Sequence, residues 1–350
     1  MADRPTLLRP PPPDPSKAPI ENVLEVTELA VLGPDLFTNS RQAWHPPGAR
    51  GIYGGSVIAM CIGAAQKTVP DDFLVHSCHC YFLLAGMSEL PILFHVERLR
   101  DGRSFATRTV QARQKGRCIF TTTISFVREN SSGSPSSQVS HASPMPLGPD
   151  GLPLQPPPDD FAGEPELLNQ GPFQGHRIEV MNKESPHAHE KVTRQWVRAR
   201  GEIAGGNQSH LQALAYVSDS YFIGTITRIH RLWRFPFKVD ELEAMPPNVQ
   251  ESVRTLHDWE GMGDPKDMKN QPVVGMMVSL DHTIYFHEPA KVHADEWMLN
   301  EMSSPWSGDG RGVVTQKIFS KDGILLATCI QEGVVRLQEL PSVERKESKL

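Results

Sequence analysis

The sequence predicts an α+β fold built twice: two copies of a unit in which one long helix precedes a curved, mostly antiparallel run of strands. The first observation is a repeated hairpin. Residues Gly102 to Phe126 (GRSFATRTVQARQKGRCIFTTTISF) read as two strands around a turn at Lys115-Gly116, and Gly310 to Gly333 (GRGVVTQKIFSKDGILLATCIQEG) repeat the pattern around Asp322-Gly323, a strong hairpin signal. With one gap the turns coincide, and Gln331 falls opposite Ile124. The second observation is an upstream strand: Leu74 to Phe82 (LVHSCHCYF) lines up with Met277 to Phe286 (MVSLDHTIYF), which sets His79 against His282 and His76 against Ser279. Third, one helix-like apolar stretch precedes each of these strands, Gly54 to Val69 in the first copy and His210 to Phe222 in the second. The same order of elements on both sides is an internal repeat.

The remaining segments are read from composition. At 350 residues the chain exceeds the usual single-domain size and suggests two units, each able to bury a core. Residues 1–21 carry LRPPPPDPSKAP, a run that forms neither helix nor central strand and is expected to be an extended tail. The two units are expected at 22–128 and 191–338. Between them, 129–190 shifts to Ser, Pro and Gly, too poor in apolar residues for a core, and reads as a linker. A polar stretch at 240–270, containing PPNVQES and GMGDPKDMK, reads as a loop insertion with one short helix. The tail 339–350 ends in Ser348, Lys349 and Leu350, the tripeptide bound by the peroxisomal import receptor, so that receptor is an expected partner and the peroxisomal matrix an expected location.

Charge and cysteine usage exclude several classes. The net charge of −6, with both signs interspersed, gives no broad basic field for nucleic acid or an anionic membrane. No apolar run approaches the roughly 20 residues that span a bilayer, and no secretory signal opens the chain, so a soluble intracellular protein is expected. Five cysteines, Cys61, Cys78, Cys80, Cys118 and Cys329, are an odd number without C-x-x-C spacing and read as reduced thiols.

Two polar residues stand where burial is costly. Gln331 ends the apolar run ILLATCI, and a primary amide buried there without a partner costs roughly 1–3 kcal/mol. Asp219 lies in LQALAYVSDSYFIG, an apolar stretch with helix-like spacing, where a carboxylate needs a comparable justification. Other constellations read as structural. His76, Cys78 and Cys80 share a strand face, but no fourth ligand with zinc spacing follows, so no metal is expected. Asp281 and His282 are neighbours on a strand and point to opposite faces, which leaves His282 in the core. The G-x-S-x-G elbow, the P-loop and the dinucleotide fingerprint are all absent, and no cofactor is expected. Arg198 and Arg200 could meet phosphates, although alternating Arg in a strand usually marks a solvated face.

Taken jointly, Asp35 to Phe37 (DLF), the Gly54-Gly55 pair, VHSCHCYFLLAG, PILFHVERLRDGRSF, WVRARGEI, VSLDHTIYFH and QEGVVR resemble the type II acyl-CoA thioesterases over about residues 22–128 and 191–338. The resemblance implies a tandem double hotdog, each unit a long helix wrapped by a curved antiparallel sheet. It also implies that Asp219, Ser279 and Gln331 hold and activate a water that attacks the thioester carbonyl of fatty acyl-CoA, with the Gln331 amide donating either to that water or to the developing oxyanion. Many relatives have Thr at the Ser279 position, and either residue supplies a hydroxyl. Gly55 and His76 are expected to line the substrate pocket. Relatives usually follow the Gly-Gly pair with Gln where this chain has Ser56, and Ile124 stands opposite Gln331, so the first hotdog is expected to be supportive and catalytically silent. The family further implies homo-oligomers, dimers or larger. Two rival functions are an enoyl-CoA hydratase-like hotdog enzyme and a non-catalytic acyl-CoA binding protein.

Overall fold

The computed structural model describes residues 10–46, 49–131, 133–148, 150–161, 163–168 and 171–338. The first unit comprises α1 (Pro19–Leu24), β1 (Val26–Glu28), β2 (Leu36–Asn39), α2 (Gly54–Gln66), β3 (Phe73–Phe82), β4 (Leu93–Asp101), β5 (Phe105–Gln114) and β6 (Arg117–Arg128). The second comprises β7 (Phe173–Met181), β8 (Val192–Ala199), α3 (Gly206–Ser218), α4 (Gly224–Ile229), α5 (Pro247–Trp259), β9 (Val274–Ser279), β10 (Asp281–Phe286), β11 (Met298–Gly308), β12 (Arg311–Ser320) and β13 (Leu325–Leu337).

Local chemistry explains the repeated hairpins. At the tip of β5 and β6 both Lys115 (φ 49°) and Gly116 (φ 74°) are left-handed, the turn whose twist matches that of paired strands. The β12–β13 turn places Gly323 at φ 87°. The strands join in one 13-stranded sheet, ordered β1-β2-β4-β5-β6-β3-β10-β13-β12-β11-β8-β7, with β9 also paired to β13. From its centre outward the order repeats: β3, β6, β5, β4 on one side and β10, β13, β12, β11 on the other. The two units are thus sealed edge to edge by the antiparallel β3–β10 pair, with His282 opposite Cys80 and Ile284 opposite Cys78.

Each half of the sheet curves round its own helix. In α2 every residue from Gly55 to Gln66 is buried, as expected of a helix with no polar face. α2 and α3 pack antiparallel. A Cβ on Gly63 would stand 2.8 Å from the Gln212 amide oxygen, and one on Gly54 would stand 2.7 Å from Asp219 Oδ2. The small residues of α2 permit this approach, which brings the end of α3 to the start of α2.

Several boundaries differ from expectation. Residues 129–190 are more than a linker: β7 lies within them and pairs with β8 as an edge strand. Met145, Leu154 and Phe161 from the same stretch pack on Trp196, Trp297, Leu299 and Phe319, outside the main core. A stretch too polar to form a core still contributes isolated apolar side chains to one that already exists. The tail is shorter than 1–21, because Asn22 Nδ2 donates to the Asp14 carbonyl at 2.9 Å and Ile20 is fully buried. The 240–270 insertion is built around α5, and its Leu242, Val253 and Met268 form a separate cluster with Trp233, which precedes it. Ser348, Lys349 and Leu350 lie outside the described residues. Among the described residues no helix is long and apolar enough to cross a membrane.

The register also corrects the alignment of the two copies. Cys78 pairs with Ile124, whereas Thr283 pairs with Ile330, so one step back along the ladder His282 meets Gln331. The first-unit counterpart of His282 is therefore Cys78 rather than His79, which is exposed.

Candidate active site

A cavity of about 670 Å³ opens where the units meet, walled by Tyr53, Gly54, Phe82 and Phe120 from the first and by Asp219 and Ser279 from the second. Its size and mostly apolar lining suit a small-molecule ligand.

Asp219 caps the end of α3 and is half-buried, with its carboxylate facing the start of α2. Burial raises its pKa to about 7, although hydrogen bonds from the Gln331 side chain and the Gly55 backbone N–H both act to lower it. The Gly54-Gly55 pair is required here. A Cβ on Gly54 would also meet the Phe82 ring at 2.6 Å, and one on Gly55 would meet the Tyr53 ring at 2.6 Å. Tyr53 in turn fixes this loop to α3, its hydroxyl lying 2.8 Å from the Tyr216 carbonyl and 2.7 Å from Ser220 Oγ.

Gln331 is fully buried on β13, and its Nε2 donates to Ser279 Oγ. Ser279 reaches it because the strand is broken. The segment read as one strand is two, β9 and β10, divided at Leu280. Strict alternation would put Ser279 and the inward-facing His282 on opposite faces; the break turns Ser279 back toward Gln331. Asp281 points elsewhere and accepts the Glu332 N–H at 2.7 Å, so it forms no dyad with His282. Its carboxyl is raised by burial.

Asp219, Ser279 and Gln331 are therefore brought together with the Gly55 backbone N–H, but Gly55, expected to line the pocket, stands behind Gly54, which lines it instead, and His76 lies outside the lining. Expected at the pocket, His76 instead sits at a register shift of β3, where its Nε2 lies 2.8 Å from Ser125 Oγ and its ring is edge-on to Phe105. A bulge residue leaves the regular alternation, which removes the basis for assigning its face. Arg198 and Arg200 also lie outside the cavity lining. Arg198 donates to the Asp159 carbonyl at 2.6 Å and packs over Trp297 at 4.4 Å, and Arg200 pairs with Glu164.

The residue missed from sequence is His282. Read as core, it is indeed fully buried, but its Nδ1 lies 2.6 Å from Gln331 Oε1 and its Nε2 lies 3.0 Å from Ser218 Oγ. The available signal was a histidine sharing the inward face of β10 with Ile284 and Phe286. As for metals, His210, His293 and Asp295 place ligand atoms within 4.8 Å of one another. His210 Nδ1 already accepts the Ala294 N–H at 3.1 Å, and Asp295 accepts the Ile203 N–H at 3.0 Å.

A carboxyl poised near neutrality, held by an amide and beside a hydroxyl at the wall of an apolar cavity, can accept a proton from water without a covalent intermediate. Comparison with known proteins gives the family. Residues 41–127 match the family described as acyl-CoA thioesterase N-terminal domain, and residues 149–335 match acyl-CoA thioesterase C-terminal domain. The chain belongs to the type II acyl-CoA thioesterase family. It is a hydrolase with the double hotdog fold that the family resemblance implied. This thioesterase is 34% identical to human acyl-coenzyme A thioesterase 8, over 94% of this chain and 92% of that protein. It is 26% identical to the peroxisomal acyl-coenzyme A thioester hydrolase 1 of Saccharomyces cerevisiae, over 91% of this chain and 96% of that one. Among solved structures, an acyl-CoA thioesterase II from Mycobacterium marinum superposes with a TM-score of 0.62 at 27% identity, covering 91% of this chain and 98% of the other.

Proposed function

We propose that this thioesterase hydrolyses fatty acyl-CoA to free fatty acid and coenzyme A through a water activated by Asp219, Ser279 and Gln331. The observation that carries this reading is the Asp219 carboxyl, pushed up to about 7 at the cavity wall while bonded to Gln331 and to the start of α2. As carboxylate it takes one proton from the water as the water oxygen bonds to the thioester carbonyl carbon. The tetrahedral oxyanion then reforms the carbonyl, the C–S bond breaks, and the departing sulfur takes the proton from Asp219, which restores the base. Ser279 orients the water. Gln331 holds Asp219 and Ser279 in place, and in this reading its amide serves the base and the water rather than the oxyanion, because its Nε2 donates to Ser279 Oγ and its side chain acts on the Asp219 carboxyl.

The test is free-thiol release from saturated acyl-CoAs, C2 to C18, by wild type, Asp219→Asn and Gln331→Ala. Turnover that falls about 100-fold or more in both variants supports the reading, on the scale of losing a general base or a fixed donor. Equal rates in all three would sink it.

We further propose action in the peroxisome. Support comes from the Ser348, Lys349, Leu350 sequence, which has the form bound by the import receptor, and from the yeast relative whose name places it there. Imaging of the chain with and without those three residues decides: a diffuse signal from both forms would contradict it.

A further inference from the structure

A glutamine can hold Asp219 only if its amide nitrogen, rather than its oxygen, faces the carboxylate. Nothing in a glutamine side chain sets that choice, since the two ends of the amide have nearly the same shape and differ only in hydrogen bonding. In this structure the neighbours set it. On one side of Gln331 stand two acceptors, the Asp219 carboxylate and Ser279 Oγ. On the other stands the ring of His282, with Nδ1 2.6 Å from Gln331 Oε1.

We infer that His282 is the positioning residue of the hydrolytic site: its Nδ1–H donates to Gln331 Oε1 and thereby keeps the Gln331 amide N–H groups on Asp219 and Ser279. A carbonyl oxygen only accepts, so the proton between Gln331 and His282 belongs to the ring. The neutral ring then has Nε2 as an acceptor, 3.0 Å from Ser218 Oγ, and the Ser218 hydroxyl donates to it. Ser218 has a second acceptor in reach, the Ala215 carbonyl at 2.9 Å, and its single proton serves His282 in this arrangement. The chain Ser218, His282, Gln331, Asp219 thus runs donor to acceptor in one direction. Reversing the Gln331 amide would set its oxygen against a carboxylate and require the ring to shift its proton to Nε2. All three side chains behind Asp219 are fully buried, so water cannot repair a wrong orientation. The ring edge also packs against Phe222 at 5.4 Å, which holds its plane.

The first unit lacks the device. Its counterparts are Cys78 and Ile124, and the Cys78 thiol bonds Thr122 Oγ1 at 3.1 Å instead. An amide and the imidazole that orients it occur together in one copy and are both missing from the other.

This inference rests on the proposed role of Gln331, and the experiment separates the two. In wild-type enzyme carrying 15N-labelled histidine, NMR should show His282 as the neutral Nδ1–H tautomer; an Nε2–H ring overturns the inference without any variant. In thiol-release kinetics, His282→Phe should lower kcat about tenfold or more with little change in KM. His282→Asn, whose amide nitrogen takes the place of Nδ1, should recover most of that loss, and His282→Phe should cost almost nothing more when added to Gln331→Ala, as expected for residues acting as one unit. If Gln331→Ala is slow while His282→Phe turns over like wild type, the positioning role fails and the hydrolytic site stands. If Gln331→Ala itself turns over like wild type, the site reading fails first.

Discussion

The two hotdog units share strand order and helix length, yet only the second holds the buried side-chain array of Ser218, His282 and Gln331 beside Asp219. α2 and α3 each span 13 residues, but α2 ends at the exposed Lys67 where α3 ends at Asp219. Across the central strands the pair Cys78 and Ile124 stands where the second unit has His282 and Gln331. The helix starts differ in the same sense. The start of α2 meets Asp219 at the large cavity, whereas the start of α3 is capped by α1, whose Glu21 accepts the Gly205 N–H at 2.7 Å and the Ala204 N–H at 3.1 Å. One carboxylate faces each helix start, but Asp219 borders the larger, mostly apolar cavity of about 670 Å³, whereas Glu21 borders a smaller and more polar cleft of about 240 Å³. The fold requires apolar strands and small helix residues in both copies, while the chemistry requires a few buried polar groups in one, each paired with another.

The largest expected effect contrasts the helix ends. Asp219→Asn should lower the rate of thiol release about 100-fold or more, while Lys67→Ala, a surface change in the other copy, should leave rate and melting temperature nearly unchanged. A comparable loss from Lys67→Ala would end the assignment of a silent unit.

Next comes Ile124→Gln, which brings the first copy closer to the second. With no imidazole beside it, the new amide should destabilise the protein by about 1–3 kcal/mol in denaturant unfolding and add no activity. Unchanged stability would show that a buried amide at this position needs no partner.

The pH dependence tests Asp219 in two ways. The rate should climb as pH rises through about 7, where the carboxyl loses its proton. Stability should move in the opposite direction: a carboxyl whose pKa is raised by folding keeps a proton that the unfolded chain sheds above about pH 4, so its charge opposes folding above 7 and ceases to do so as the pH falls toward 4. Asp219→Asn should therefore be more stable than wild type at pH 8, by on the order of 1–3 kcal/mol after allowing for partial exposure, and no more stable at pH 4. Equal stability at pH 8 would remove burial as the cause of the shift.

The smallest effect concerns the capped start of α3. Glu21→Ala should cost about 1 kcal/mol, the scale of a lost helix cap, with kcat unchanged. A change in kcat would mean that α1 communicates with the open cavity.

Much of this architecture was legible in the residues. Lys115-Gly116 and Asp322-Gly323 mark hairpins because left-handed turns favour glycine locally, whatever the rest of the chain does. Two hairpins, two strands and two helices in one order then imply the repeat. Asp219 and Gln331 could be singled out because an isolated polar group in an apolar run requires a partner. Ser279 was recognised through the family resemblance alone, since its face depends on the break at Leu280, and a bulge moves a side chain across a sheet without a distinct local signal. The same lack of a local signal hides the position of His76 and the match of His282 with Cys78 rather than His79. Composition does not reveal the role of 129–190, because it measures whether a segment can build a core, not whether it can cover another.

Sequence by itself determined the repeated unit, the turns and the candidates for buried polarity, because these follow from backbone preferences and hydropathy over a few neighbours. Tertiary structure alone decided which polar groups meet. Asp219 reaches Gly55, and His282 reaches Gln331, only after α2 has packed antiparallel on α3 and β10 has joined β13, contacts between residues far apart in the chain that no local pattern encodes.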